Sequence, residues 1–139
     1  MGTPEQNKAL VKRFIDCLNS GDVAGAAECF DASRYYSHAH RADLAGTWEQ
    51  MKARRRAAAF SDFVPENAAL VADGDRVVHH SRVTSTHSGE FFGVPGTGRR
   101  VTVEQVEIWR IENDKIVEHW GGLAEAERLY NELTQGDRR

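Results

Sequence analysis

VTVEQVEIWRIENDKIVEHW, residues 101–120, carries the strongest structural pattern in the chain. Residues 101–111 and 115–120 are rich in Val, Ile and Trp, which favour strands, although neither alternating face of residues 101–111 is purely polar. The pair Asn113-Asp114 between the two runs is typical of a tight turn. The stretch therefore predicts two antiparallel strands joined by a hairpin.

Two further β-rich runs precede this hairpin. Residues 63–71 show mixed alternation, residues 77–87 are rich in β-branched side chains, and the Asp73-Gly74 pair between the runs is a hairpin signal. Glycine and proline then concentrate in residues 89–98, which we expect to form a loop. Four strands joined by short connections predict an antiparallel meander.

The first third of the chain carries helical signals. Thr3-Pro4 followed by Gln6 is an N-terminal capping signature, and Gly21 supplies a stop after apolar residues at helical spacing. Helices followed by a meander predict an α+β domain with the helices on one face of the sheet. Three more helices are expected over residues 22–30, 47–60 and 124–133.

Composition narrows the class of protein. We expect a single domain over residues 1–139, with a frayed polar tail at 135–139. Hydrophobic residues make up 40% of the chain and the formal net charge is −3, which argues against disorder and against a nucleic-acid-binding surface. Apolar runs are shorter than the roughly 18 residues of a membrane span, and residues 1–10 lack the apolar segment of a secretion signal. We therefore expect a cytoplasmic protein with neither a nucleic-acid nor a membrane partner.

Several motifs resemble those of the SnoaL-like polyketide cyclase family, and the helical first third fits as well. The resemblance implies a cone of the nuclear-transport-factor-2-like (NTF2-like) superfamily, with a curved antiparallel sheet wrapped around N-terminal helices and an internal cavity. It also implies homodimers or homotetramers built through the sheet. The motifs lie in residues 60–63, 72–78, 86–93, 95–100, 108–111 and 115–120.

The resemblance further implies chemistry without a metal or cofactor on a small aromatic or polycyclic molecule such as a polyketide. The best-known reaction of the family is an intramolecular aldol ring closure, in which an aspartate shortly after the last strand is the general acid/base. Counting from Trp120 places Ala124 at that position, whereas one inserted residue places Glu125 there. With Ala124 in that position, the reaction would need another base.

The strand pattern offers further acid/base candidates. An enolate reaction needs a base near an acidic C–H and hydrogen-bond donors for the enolate oxygen. Period-2 alternation places Gln105 and Glu107 on one face with Trp109. His87 and His119 lie in the family-like stretches, and imidazoles move protons near neutral pH. We therefore expect Glu125 or Glu107 as the base, assisted by His87 and His119.

Other residues are candidates for binding the substrate. A buried Arg82 would either pair with Glu107 or orient an anionic group of the substrate. The histidines of His38-Ala39-His40 and of His79-His80 lack the spacing of a known metal motif, so no metal is predicted. Further candidates for contacts with a flat ligand, beside Gln105, are His38, Tyr36, Trp48, Phe60 and Trp120, which ordinary core or rim positions would explain equally well.

Three functions stay open at this point. The first is a cofactor-independent cyclase or isomerase, and the second is a hydroxylase or an enzyme of the epoxide-hydrolase type. The epoxide-hydrolase type needs a water held by an Asp–Arg–Asp trio, and the aspartates here fall at helix ends and in loops. The third is a non-catalytic module that binds a small ligand, which Ala124 in place of the family carboxylate would fit.

Overall fold

The computed structural model of the protein describes residues 2–135. The helices are α1 Pro4–Ser20, α2 Val23–Glu28, α3 Leu44–Ala57 and α4 Leu123–Gln135. The strands are β1 Tyr36–Ser37, β2 Phe60–Asp73, β3 Arg76–His87, β4 Arg100–Glu112 and β5 Lys115–Gly121. These elements form an α+β, NTF2-like arrangement of helices against a curved, unclosed sheet, which confirms the predicted fold class.

The sheet has the order β1-β5-β4-β3-β2. The pairs from β2 to β5 are antiparallel, which confirms the predicted meander, and β1 joins β5 in parallel. Gly74, Asn113 and Asp114 adopt positive φ angles of 59°, 51° and 59°, which glycine, asparagine and aspartate tolerate in tight turns. Strand β1 was not predicted, because two residues are too few to show a period.

The helix termini follow local hydrogen bonds. Thr3 Oγ1 accepts from the Gln6 amide at 3.1 Å, as the capping signature predicted. The helix expected over residues 47–60 instead begins at Leu44, because Asp43 Oδ1 accepts from the Gly46 amide at 2.8 Å. The second helix ends at Glu28, before the predicted Phe30. Residues 136–139 of the expected polar tail lie outside the described range, and none of the described helices is long and apolar enough to cross a membrane.

The hydrophobic core lies between α1, α2 and the inner face of the sheet. Phe30 meets Phe14 and Tyr35 edge-to-face with ring centroids 4.8 Å apart, and Phe14 meets Trp109 at 5.9 Å. Such edge-to-face pairs are favourable beyond the area they bury. Trp109 belongs to the odd-numbered residues of β4, so the same face continues to Glu107 and Gln105. The core therefore aligns the inner sheet face on which the candidate site is built.

Candidate active site

A cavity of about 210 Å³ lies between the helices and the inner face of the sheet. Typical ligand pockets measure roughly 300–1,000 Å³, so this volume suits a small ligand or one that is only partly enclosed. A few polar groups that converge in a largely apolar cavity are the usual form of a binding site. Aromatic walls come from Phe14, Phe30, Trp48 and Trp109, and polar groups from His40, Arg54, His79, Gln105, Glu107 and His119.

Glu107 and His119 form a hydrogen-bonded pair in the cavity wall. The register of β4 and β5 places them on neighbouring strands, and His119 Nε2 donates to Glu107 Oε2 at 2.9 Å. The His119 side chain is only 5% exposed. A Cβ added at Gly122, whose φ is +83°, would lie 3.2 Å from Glu107 Oε1. The glycine after β5 therefore leaves room for the carboxylate beside the imidazole.

The second nitrogen of His119 continues the network through β1. A hydrogen bond of 2.8 Å joins His119 Nδ1 to Ser37 Oγ, and another of 3.0 Å joins Ser37 Oγ to His40 Nδ1. One continuous series of hydrogen bonds, which we name the buried network, thus joins Glu107, His119, Ser37 and His40. Ser37 is 0% exposed and lies outside the cavity lining, so the arrangement is not that of a serine nucleophile.

Burial shifts the pKa values of several groups around the cavity. It lowers the pKa of His40 to about 4, an effect that the neighbouring His119 and Arg54 reinforce and Glu107 opposes. Burial also lowers the pKa of His79, whose Nε2 is hydrogen-bonded to Asn67 Oδ1 at 2.9 Å. Both shifts favour the uncharged imidazole, the form in which a histidine has a free lone pair.

Three of the predicted ligand contacts lie in a separate groove on the outside of the protein. Tyr36, His38 and Trp120 line it together with Glu125. The His38 ring stacks on Trp120 with centroids 4.9 Å apart, and Arg76 lies 4.7 Å above the Trp120 ring. These aromatic residues contact one another and do not reach the cavity lining.

The segment after β5 places Ala124, and not Glu125, in the cavity. Ala124 is 8% exposed and lines the cavity, whereas Glu125 is exposed and lines the outer groove. The Glu125 carboxylate accepts a hydrogen bond from Arg128 Nη2 at 2.6 Å. The cavity therefore lacks a carboxylate from this position, and the expected role of Glu125 as the base has no support in its placement.

The predicted Arg82–Glu107 pair is wrong. The register of β3 and β4 sets Arg82 opposite Glu104, and even-numbered residues of these strands face outward. Arg82 Nε donates to Glu104 Oε1 at 3.1 Å and Arg82 Nη1 donates to Glu66 Oε1 at 3.2 Å. Arg82 is thus part of an exposed ion-pair cluster on the face opposite to Glu107.

His87 and Phe60 lie together at the end of β3, outside the cavity lining. A hydrogen bond of 3.0 Å joins His87 Nδ1 to Thr97 Oγ1 in the following loop, and the His87 ring lies 5.5 Å from that of Phe60. Of the predicted site residues, the structure brings Glu107, His119, Gln105 and Trp48 to one cavity.

Sequence reasoning missed several polar members of the site, among them His79, Ser37 and His40. His79 shares the inward alternation of β3, which would have indicated its position. Ser37 and His40 lie in a short strand and the turn after it, where side-chain direction follows no period. They become visible only through the parallel pairing of β1 with β5.

Comparison with known proteins gives a family match and several structural relatives. A family model described as SnoaL-like polyketide cyclase matches residues 8–128, whereas a comparison with curated proteins gives no match. AclR, a proposed hydroxylase from Streptomyces galilaeus, is 32% identical with a TM-score of 0.70, over 86% of this chain and 79% of AclR. IdmH, a proposed polyketide cyclase from Streptomyces antibioticus, is 26% identical with a TM-score of 0.71, over 89% and 98%. A SnoaL-like polyketide cyclase from Agrobacterium tumefaciens shares the fold at 21% identity and a TM-score of 0.70, over 93% and 99%.

Proposed function

The chain belongs to the SnoaL-like polyketide cyclase family, and from this premise we propose that it is a cofactor-independent enzyme. It performs general acid/base chemistry on a small polyketide-like or polycyclic molecule, cyclising or isomerising it through an enolate. The observation that carries this proposal is the 2.9 Å hydrogen bond between His119 and Glu107 in the wall of an aromatic cavity. A carboxylate that fixes an imidazole is a common arrangement for proton transfer.

The residues of the cavity would act as follows. A proton leaves a C–H group of the substrate, and its electron pair remains as the enolate. The proton binds an imidazole of the cavity, and the Glu107 carboxylate, hydrogen-bonded to His119 at 2.9 Å, stabilises the positive charge that results. The Gln105 amide and the Arg54 cation, both in the cavity lining, favour the enolate oxygen, and Trp48 packs against a flat ring.

We propose that the protein acts in the cytoplasm as a homodimer or homotetramer formed through the outer sheet face. Val64 and Val106 of that sheet are 57% and 53% exposed, which supports burial against a second copy. Light scattering coupled to size-exclusion chromatography gives the mass, and a monomer at micromolar concentration would contradict the assembly.

Turnover of a substrate panel tests the function. The purified protein is incubated with aromatic compounds that carry polyketide-like 1,3-dicarbonyl chains, and products are followed by liquid chromatography with mass spectrometry. We expect E107Q to slow conversion by roughly 10²–10⁴-fold, the usual contribution of general acid/base catalysis, because the imidazole loses the carboxylate that stabilises its charged form. E104Q is the matched control, because Glu104 lies on the outer face of the same strand with a side chain 56% exposed. Conversion by E107Q at the wild-type rate would contradict the proposal.

The same panel separates the other functions. A hydroxylase, which the 32% identity to AclR favours, would yield a product heavier by one oxygen atom. A binding module would raise the melting temperature with a compound that is recovered unchanged. The epoxide-hydrolase type has less support, because Glu107 is the only carboxylate that residues 2–135 contribute to the cavity lining.

A further inference from the structure

His40 offers a nitrogen that the proposed function does not yet use. His40 lines the cavity, and its Nε2 is buried without a hydrogen bond to any described residue. Its other ring nitrogen, Nδ1, is hydrogen-bonded to Ser37 Oγ at 3.0 Å within the buried network. Buried polar atoms are nearly always paired, and one that is not often marks a catalytic role.

The hydrogen atoms available to Ser37 restrict the protonation of both histidines. A serine hydroxyl has one hydrogen and two lone pairs. One lone pair of Ser37 Oγ accepts from the His40 backbone amide at 3.1 Å. His119 Nδ1 at 2.8 Å and His40 Nδ1 at 3.0 Å share what remains, one lone pair and one hydrogen. With these three partners, one imidazole donates to Ser37 while the other accepts from it.

Glu107 determines which imidazole donates to Ser37 and which accepts from it, because the Glu107 carboxylate accepts a hydrogen bond from His119 Nε2. When His119 is neutral, its Nδ1 has no hydrogen and accepts from Ser37, so His40 donates through Nδ1. His40 Nε2 then has a free lone pair, on a ring that belongs to the cavity lining. When His119 is charged, it donates to Ser37, the Ser37 hydroxyl donates to His40 Nδ1, and His40 Nε2 carries a hydrogen. The two states differ by one proton.

We propose that His40 Nε2 is the base that removes the substrate proton and that Ser37 passes the resulting charge to His119. The proposal rests on the proposed function and names the acting atom within that site. The substrate C–H bond breaks, its electron pair stays on the substrate as the enolate, and the proton binds His40 Nε2. The Nδ1 proton of His40 moves to Ser37 Oγ, and the Ser37 proton moves to His119 Nδ1. The reverse sequence returns the proton to the product.

The surroundings of His40 explain why a relay is useful. Burial, the His119 side chain and the Arg54 cation all disfavour a positive charge on His40, and Glu107 alone among the charged groups acting on it favours one. The relay leaves the charge on His119, which is hydrogen-bonded directly to the Glu107 carboxylate. His40 is thus the catalytic residue that meets the substrate, and Ser37 is a positioning residue.

Nitrogen-15 NMR of the histidine rings tests the relay in the free protein. At ~pH 8 we expect His40 protonated on Nδ1 alone and His119 on Nε2 alone. As the pH falls, His40 should exchange its Nδ1 hydrogen for one on Nε2 while staying neutral, with the same midpoint as the charging of His119. S37A should abolish the shared midpoint. A His40 protonated on Nε2 at high pH, or two different midpoints in the wild type, would overturn the relay even if S37A fails to fold.

Base-catalysed ring opening of 5-nitrobenzisoxazole tests the catalytic step without the natural substrate. The base removes the ring C–H proton, the N–O bond breaks, and a coloured cyanonitrophenolate forms. We expect H40Q to slow the reaction by at least ~10²-fold. H80Q should match the wild type, since His80 Nε2 is hydrogen-bonded to Glu104 at 2.9 Å on the outer face.

The results for these variants distinguish the role of His40 from the proposed function of the cavity. Slow reaction in E107Q with wild-type rates in H40Q would overturn the role of His40 and leave the proposed function intact. A wild type no faster than free imidazole would overturn both. Melting temperatures within a few degrees of the wild type show that a slow variant is folded.

Discussion

Replacing Ser37 by alanine should destabilise the protein far more than its small change in volume suggests. Ser37 is 0% exposed, and its hydroxyl oxygen is bonded to the His40 amide, His40 Nδ1 and His119 Nδ1 at 3.1, 3.0 and 2.8 Å. S37A leaves these nitrogens without that partner, and a buried unsatisfied group costs about 1–3 kcal/mol. With the lower value for each, the free energy of unfolding should fall by about 3 kcal/mol. For a chain of this length, that lowers the melting temperature by roughly 10 °C.

Urea unfolding followed by tryptophan fluorescence measures this loss. S85A is the matched control, because Ser85 is a buried serine of β3, 5% exposed, whose hydroxyl makes no side-chain hydrogen bond to the described residues. We expect S85A to cost less than about 1 kcal/mol. Equal losses of unfolding free energy in S37A and S85A would refute the claim that the Ser37 hydroxyl holds the buried network together.

Three further predictions concern the same site and its surroundings. Lowering the pH from 6.5 to about 4 should reduce the free energy of unfolding by about 2 kcal/mol, after allowance for solvent screening, because His40 takes up a proton in this range only when the protein is unfolded. The urea midpoint of H40Q should depend less on pH than that of the wild type. Parallel pH curves for the two proteins would contradict this. G122A should lower the free energy of unfolding by about 1–2 kcal/mol, because alanine is strained at the positive φ of this position. It should also slow turnover at least ~10-fold, since the added Cβ would lie 3.2 Å from Glu107 Oε1. Turnover at the wild-type rate would count against the placement of that carboxylate. R82A should lower the free energy of unfolding by no more than about 1 kcal/mol and leave turnover unchanged, because the ion pair of Arg82 with Glu104 is exposed. A loss of turnover would show that Arg82 binds the substrate.

Patterns of short range predicted most of the fold. The Thr3–Gln6 capping box and the Asn113-Asp114 turn depend on neighbouring residues alone, so their sequence signals were sufficient. Alternation along β4 likewise placed Glu107 on the inner face. The family resemblance supplied what such patterns cannot, namely that the sheet curves around a cavity.

The rest of the site depends on register and on turns. Arg82 faces Glu104 because of how β3 and β4 pair, and alternation within one strand does not give that pairing. Whether Ala124 or Glu125 enters the cavity is set by where α4 begins, which the sequence left open. His40 lies in a turn between β1 and α3, so no period indicated that it would meet His119.

Deuterium exchange at a carbon beside a ketone tests the central claim most directly, namely that Glu107 and His119 form an acid/base centre in the cavity. The wild type, E107Q and E104Q are incubated in heavy water with the bicyclic ketone 2-tetralone, and exchange is followed by proton NMR. We expect the wild type and E104Q to exchange the acidic C–H at the same rate and E107Q to be slower by at least ~10²-fold. Equal rates in E107Q and E104Q would contradict the account.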